Sequence, residues 1–243
     1  MIAETGAGRV RGVAAPGGVT AFLGVPYARA GRFAVPGPAR PWTGVRDAAA
    51  PGPAAPQTAS RLERFQLVAD GVLVPPDPVA VAGACGADVL AGVTGDEAAA
   101  FLAGDERVRA LGPDDLAGVA AAWFGDPGRA APDGRTAERI AVDMSTDHMF
   151  REPLARLARS LTEHGAPPWE YRFDWHPAGG PFGACHCIEL PFVLGTAAAW
   201  RDAPMLAGER PAALVDRTRR AWAGFVRDGD PGWARGTARR FTG

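Results

Sequence analysis

Glycine and proline limit how much regular structure this chain can form. Of its 243 residues, 32 are glycine and 23 are proline, a share well above average usage. Proline fixes φ and removes a backbone donor, while glycine adds backbone freedom, so both interrupt helices and strands. They are concentrated before Pro56 and in several later loops, which predicts short elements joined by many turns.

Charge and composition exclude several classes of protein. With 47% hydrophobic and 22% charged residues, the chain has the composition of an ordinary globular protein. Its 26 basic and 27 acidic residues give a formal net charge of −1, and the arginines are spread along the chain. This even charge predicts no binding of nucleic acid or anionic lipid. We expect small-molecule or protein partners.

The chain shows no targeting or membrane signal. Residues 1–6 have neither a basic nor an apolar region of the kind found in secretion signals, and no stretch approaches the ~18 apolar residues of a membrane span. We therefore expect a cytoplasmic location and no membrane contact. The three cysteines, Cys85, Cys185 and Cys187, form no disulfide framework in a chain of this size, so reduced thiols are predicted.

The first 58 residues are predicted to form short strands and an extended segment. Residues Gly8 to Gly12 and Val19 to Tyr27 are of strand type and flank a turn at Pro16-Gly17-Gly18, which favours an antiparallel hairpin. Repeated prolines between Phe33 and Trp42 exclude a helix there.

Beyond residue 65, strand and helix patterns alternate. Strands are predicted at Val89–Val93 and Trp169–Phe173. Helices are predicted from Asp96 through Leu102, from Pro113 to Phe124, from Arg135 to Gly165 with a division at Pro153, and from Arg210 to Arg227. This order predicts an α/β layer protein with functional loops at strand ends. We expect one domain over 1–243, with a hairpin portion at 1–58 and a second portion at 65–243.

Four separated stretches carry recognisable motifs. The first stretch comprises Thr5 to Gly12, Phe22 to Ala28, Arg32-Phe33, Pro41-Trp42 and Pro56-Gln57. The second comprises Asp70-Gly71, Pro75, Gly92 to Glu97 and Phe101, and the third comprises Asp147, Phe150, Pro153 and Tyr171 to Phe173. The fourth runs from Ala184 to Gly195 and is followed by Trp222, Phe225 and Gly229 to Pro231. Together they resemble the type B carboxylesterases, α/β-hydrolases that include the cholinesterases. The resemblance implies an α/β-hydrolase fold with a reduced central sheet, and carboxylic ester hydrolysis.

The resemblance also implies two members of a catalytic triad. Glu97 stands in the place of the triad acid, and His186 in the place of the triad histidine. In such a triad the carboxylate holds one ring nitrogen, fixes the tautomer and stabilises the imidazolium, while the other nitrogen accepts a proton from the nucleophile. No cofactor and no metal are expected.

The nucleophile of the family is missing from the sequence. It belongs in a Gly-x-Ser-x-Gly elbow, whose backbone amide contributes to the oxyanion hole. The chain has three serines, Ser60, Ser145 and Ser160, and none has a glycine two residues away on either side. Between Gln57 and Phe65 the sequence passes from the family's N-terminal segment to the region before its acid. We therefore predict that the middle strands are missing and that the strands at Val89–Val93 and Trp169–Phe173 expose edges.

Other chemistries are less favoured by the residues. Cys185-His186-Cys187 suggests a metal, but a structural zinc site needs four ligands and wider spacing. The neighbours of His186 in one loop point away from its reactive nitrogen, which argues against a cysteine nucleophile. Ser145 is either a recruited nucleophile or a helix-capping or packing serine. The remaining histidines, His148, His164 and His176, are predicted on the surface or in loops.

Three functional hypotheses follow. The chain is an impaired carboxylic ester hydrolase that acts on small-molecule esters only with a nucleophile from another chain, or it is inactive. Alternatively it is a non-catalytic binding module that self-associates through exposed sheet edges. A third hypothesis is a deletion-derived fragment without a selected function.

Overall fold

The computed structural model describes residues 1–29, 37–50, 71, 74–131, 133–195 and 197–243. The chain divides into two compact units, Met1–Leu67 and Val68–Gly243. Within the described ranges no helix is long and apolar enough to cross a membrane. The predictions made for Arg32-Phe33, Pro56-Gln57, Ser60 and Asp70 lie outside the described residues.

The first unit consists of short strands. They are β1 (Ile2–Thr5), β2 (Gly8–Arg11), β3 (Val13–Ala15), β4 (Val19–Ala21), β5 (Ala28–Arg29), β6 (Gly37–Pro38) and β7 (Val45–Asp47), with a 3-10 turn at Pro16–Gly18. Strand β1 pairs antiparallel with β2, β3 with β4 and β5 with β6, whereas β7 lies parallel to β2.

Two hairpins stand where the sequence predicted one. The predicted strand at Gly8 pairs with β1, because Thr5 closes an earlier turn: its hydroxyl donates to the carbonyl oxygen of Gly8 at 2.7 Å and accepts from the Gly8 amide at 3.1 Å. The predicted turn at Pro16–Gly18 is confirmed, but it joins β4 to the short strand β3.

The second unit combines eight helices and three strands within its described residues. The helices are α1 (Pro78–Ala84), α2 (Ala99–Leu102), α3 (Glu106–Arg109), α4 (Pro113–Phe124), α5 (Ala137–Thr146), α6 (Glu152–Glu163), α7 (Leu190–Leu194) and α8 (Ala212–Asp228); the strands are β8 (Leu90–Thr94), β9 (Trp169–Phe173) and β10 (Ala238–Phe241). Three 3-10 turns (Pro127–Ala130, Ala197–Trp200, Pro204–Leu206) and a π-helical turn (Asp147–Arg151) connect them.

The three strands form a parallel sheet in the order β10-β9-β8. Leu90 lies opposite Trp169, and Thr94 lies opposite Phe173. The prediction that the strand at Trp169–Phe173 exposes an edge is therefore wrong, because β10 covers it. The prediction for the other strand holds within the described part of the chain, where β8 pairs with β9 alone.

Two predicted helices differ in their boundaries. The stretch predicted from Arg135 to Gly165 begins at Ala137 and contains the π-helical turn, which runs directly into α6. Pro153 follows this turn, and its missing N–H removes one backbone hydrogen bond from the helix. The helix predicted from Asp96 begins only at Ala99, because the side chains of Asp96 and Glu97 bind other parts of the fold.

Two hydrophobic clusters hold this unit together. One lies against the sheet and α8, and its fully buried members include Phe173, Ile188 and Phe192. The other joins α4 to α5 through Leu116 and Ile140. The first cluster packs directly beneath the loop that carries His186, so burial of apolar surface fixes the position of that loop.

Substitution of Gly92 tests how closely β8 packs on β9. A Cβ atom at this position would overlap the carbonyl oxygen and ring of Tyr171. We expect Gly92→Ala to lower the free energy of unfolding by about 1–3 kcal/mol, since overpacking forces the strands apart, as measured by urea denaturation. The control is Gly118→Ala in α4, where a Cβ meets nothing within 4 Å and helix propensity rises by about 1 kcal/mol. A Gly92→Ala protein as stable as the parent would contradict the close approach of β8 and β9 at this position.

Candidate active site

Glu97 lies in the turn that follows β8. Its side chain is buried, with the residue 4% exposed. The Oε1 atom accepts a hydrogen bond from the Thr94 amide at 2.7 Å, and Oε2 lies 2.6 Å from Nδ1 of His186. Both carboxylate oxygens thus have the partners that burial of a charged group requires.

His186 lies in the loop between β9 and α7. Its backbone amide donates to the carbonyl oxygen of Glu97 at 3.3 Å, so main chain and side chain both bind the acid. The rings of Phe101 and Phe150 flank the imidazole at centroid distances of 5.4 and 5.2 Å. The side chain is 41% exposed, and Nε2 has no hydrogen-bond partner among the described residues.

This contact determines the chemistry of the imidazole. A carboxylate can only accept a hydrogen bond, so Nδ1 of His186 carries the proton that points at Glu97. In the neutral ring Nε2 is then the acceptor. The arrangement can take a proton at Nε2 and hold the resulting imidazolium beside a buried negative charge.

Asp96 ties the acid loop to the histidine loop. Its amide donates to the Ala184 carbonyl oxygen at 2.8 Å, and its Oδ2 accepts from the Ala184 amide at 3.0 Å. Its Oδ1 pairs with Nη2 of Arg139 at 2.7 Å. Burial opposes ionisation of Asp96, but the hydrogen bonds from Arg139 and Ala184 outweigh it and lower the pKa of the carboxyl group below its usual value.

The segment from α5 to α6 supports the same turn from another side. Arg151 donates to the carbonyl oxygen of Gly95 at 2.6 Å and pairs with Asp147 at 2.7 Å. The Ala98 amide donates to the buried hydroxyl of Thr146 at 3.2 Å. The predictions from sequence missed Asp96, Arg139 and Arg151. Only Asp96 had a signal, as a second acid in the motif that contains Glu97.

A second acid is buried beside the pair. Glu189 lies three residues after His186, and its Oε2 is buried without a partner among the described residues. Burial raises the pKa of Glu189, and the negative charge of Glu97 raises it further, against the attraction of His186.

The two cysteines that flank His186 are not activated thiols. Burial raises the pKa of Cys185 to about 11. Burial, with the charges of Glu189 and Glu97, also raises the pKa of Cys187. Thiolates are the reactive form, so both residues are poor nucleophiles at neutral pH. The described residues include no group of three or more His, Cys, Asp or Glu side chains able to hold a metal ion.

No described serine contacts the imidazole. The ring contacts of His186 are with Glu97, Phe101 and Phe150. Ser145 is buried in α5, and the hydroxyl of Ser160 donates to the Val79 carbonyl oxygen at 3.4 Å, where α6 packs on α1.

The other histidines make separate contacts. His148 stacks on Trp123 with ring centroids 4.6 Å apart. Nδ1 of His164 lies 2.8 Å from the Ser160 carbonyl oxygen, and Nδ1 of His176 lies 3.1 Å from that of Pro177. Among the described histidines, His186 is the one paired with a carboxylate.

The acid in the turn after β8 and the histidine in the loop after β9 follow the chain order that α/β-hydrolases have for these two triad members. The model of the carboxylesterase family matches residues 1–71 and 119–239, and the chain belongs to this family. His186 lies within the matched residues, whereas Glu97 lies between the two matched ranges.

Two curated relatives match part of the chain. A probable N-octanoylanthranilate hydrolase of Rhodococcus erythropolis is 40% identical over 91 residues, which are 35% of this chain and 20% of the relative. The para-nitrobenzyl esterase of Bacillus subtilis is 38% identical over 92 residues, 37% of this chain and 19% of the relative. The chain thus matches about a fifth of the length of each.

Solved structures show the same partial coverage. A carboxylesterase of Geobacillus stearothermophilus superposes with a TM-score of 0.61 at 27% identity, over 73% of this chain and 42% of that one. A PNB esterase gives a TM-score of 0.57 at 28% identity, over 70% and 36% of the two chains. These similarities support the α/β-hydrolase fold of the described portion.

Acid sensitivity tests the role of Asp96. Its pKa is lower in the folded than in the unfolded chain, so its contribution to stability is complete above the ordinary aspartate pKa of about 3.9 and is lost as the pH falls through the folded value. We expect Asp96→Asn to lower the free energy of unfolding by about 1–2 kcal/mol at pH 7, because the contacts of the carboxylate are lost. The loss is no larger than this because solvent screens part of the contact with Arg139. The difference from the parent should shrink below pH 4 in denaturation curves measured across pH. Asp202→Asn, at an exposed position, is the control. If both variants lower the free energy of unfolding equally, the stabilising role of Asp96 is contradicted.

Proposed function

We propose that the chain is a carboxylic ester hydrolase in which Glu97 and His186 form the acid–base part of an acyl-transfer site, and that it is catalytically impaired when alone. The 2.6 Å contact between Oε2 of Glu97 and Nδ1 of His186 carries this proposal. It leaves Nε2 as the free acceptor on a ring that is 41% exposed. A base in this state can take the proton of a hydroxyl group as that group attacks an ester carbonyl.

The impairment follows from the missing nucleophile elbow. Loss of one oxyanion-hole donor costs roughly 10²–10³ in rate, and loss of the nucleophile costs far more. The rate left to His186 is that of a general base acting on water, or on a hydroxyl group supplied by another chain. Small-molecule carboxylic esters are the proposed substrates, in line with the activity that the name of the para-nitrobenzyl esterase states for that protein.

Turnover of a short-chain nitrophenyl ester tests this function. We expect slow hydrolysis that falls to background in His186→Ala and falls strongly in Glu97→Gln, because the carboxylate no longer stabilises the imidazolium. A fluorophosphonate probe should not label the chain. His164→Ala is the matched control, since this histidine has no carboxylate partner among the described contacts.

Each alternative result has a distinct meaning. Stoichiometric fluorophosphonate labelling with Glu97-dependent turnover would show that the chain contains its own nucleophile and overturn the impairment. Turnover that is equal in the parent, His186→Ala and His164→Ala would overturn the role of His186 and favour a binding module. Aggregated protein without turnover would favour a deletion-derived fragment.

A second candidate function is self-association through β8. The Trp169 amide donates to the Val89 carbonyl oxygen, and the Gly95 amide donates to that of Phe173, both at 2.9 Å. In a parallel ladder these bonds alternate, so the amides of Leu90 and Gly92 face away from β9. Within the described residues this edge has no neighbouring strand, and such edges pair readily with another chain.

Proline at position 90 tests this association. Leu90→Pro removes one open-edge amide at the first residue of the strand, where proline is tolerated, and Leu90→Ala removes the side chain but keeps the amide. We expect sedimentation equilibrium to show a dimer of the parent and of Leu90→Ala, with dimer affinity on the order of tenfold weaker in Leu90→Pro. A monomeric parent, or equal association of all three proteins, contradicts self-association by this edge.

A further inference from the structure

A groove of about 410 Å³ lies between α8 and the final turn and strand of the chain. Four arginines line it: Arg217, Arg220 and Arg227 from α8, and Arg239 from β10. Neither Glu97 nor His186 contributes to its lining. The groove is therefore separate from the candidate active site.

Half of these arginines have partners. Arg227 donates from Nε and Nη2 to the carboxylate of Asp228 at 2.9 and 2.7 Å. Arg217 donates to the Thr242 carbonyl oxygen at 2.7 Å. The other acid of the groove, Asp230, accepts from the Gly232 amide at 2.7 Å.

The remaining two arginines are unpaired within the described chain. Their backbones are bonded within α8 and β10, but the guanidinium groups of Arg220 and Arg239 make no hydrogen bond and no ion pair with any described residue. Arg217 and Arg220 also lie three residues apart on α8, where like charges destabilise a helix. Binding of an anion between these side chains would remove that repulsion.

The groove offers an apolar surface next to the charge. Phe241 and Ala221 are buried in its wall, and the ring of Trp233 packs against the same cluster. A Cβ atom at Gly224 would lie 2.6 Å from the carbonyl oxygen of Asp230, so glycine allows the turn to approach the helix this closely. Charged and aromatic groups thus line one space.

We propose that this groove binds a small ligand with an oxyanion group on an aromatic body. The guanidinium fork matches the two oxygens of a carboxylate or phosphate, and Arg220 and Arg239 supply two charges that no described acid neutralises. The partly exposed ring of Trp233 provides the surface for the apolar body. This site does not depend on the proposed hydrolase function.

Isothermal titration calorimetry with benzoate, phenyl phosphate and inorganic phosphate tests the site on the full chain. We expect phenyl phosphate or benzoate to bind, and the tighter of the two identifies the headgroup. Inorganic phosphate should bind at least tenfold more weakly than phenyl phosphate, because it lacks the apolar body. Affinity should fall with added salt.

Variants separate the groove from general surface charge. Arg220→Met with Arg239→Met keeps most of the side-chain volume, and we expect it to weaken binding at least tenfold while its circular dichroism spectrum stays that of the parent. Arg159→Met, at an exposed position on α6, and Glu97→Gln should bind as the parent does. No binding of any probe, binding unchanged in the double arginine variant, or inorganic phosphate bound as tightly as phenyl phosphate would overturn the proposal.

Discussion

The two-way contact between Asp96 and Ala184 is the interaction on which the candidate site depends. Backbone and carboxylate of one residue bind the carbonyl and amide of the other, so the loop after β8 and the loop after β9 are fixed against each other. Glu97 directly follows Asp96, and His186 lies two residues after Ala184. Their 2.6 Å hydrogen bond therefore needs little further ordering of the main chain, which keeps its entropic cost low.

The register of β8 on β9 provides the second constraint. Because Thr94 lies opposite Phe173, the two loops leave the sheet side by side at the carboxyl ends of parallel strands, where α/β proteins place their sites. Gly95 makes this possible, since a Cβ there would lie 3.0 Å from Oδ1 of Asp174 and 3.1 Å from Cβ of Ala184. The small sheet thus positions a site that depends on very close approach of its loops.

The sequence predicted the parts of this site that short motifs encode and missed those that long-range contacts supply. Glu97 and His186 were predicted as a pair from two motifs, and the structure places them in contact. Arg139 and Arg151 had no local signal for this role, because their partners in the acid loop, Asp96 and Gly95, lie more than forty residues away along the chain. The short, arginine-rich segment of β10 lacks the alternating apolar pattern of a strand, so its pairing with β9 depends on tertiary packing alone.

Persistence of the acid–histidine pair does not by itself require catalysis. The carboxylate of Glu97 is buried, and its two oxygens take one hydrogen bond from Thr94 and one from His186. Removing the histidine would leave a buried charge with an unpaired oxygen, which costs more than an ordinary surface substitution. The Cys187 backbone, at φ 68°, adds strain of about 1–2 kcal/mol beside the histidine. Packing therefore accounts for retention of Glu97 and His186 as a pair, whereas the strain at Cys187 and the exposed Nε2 are the features that a chemical role would explain.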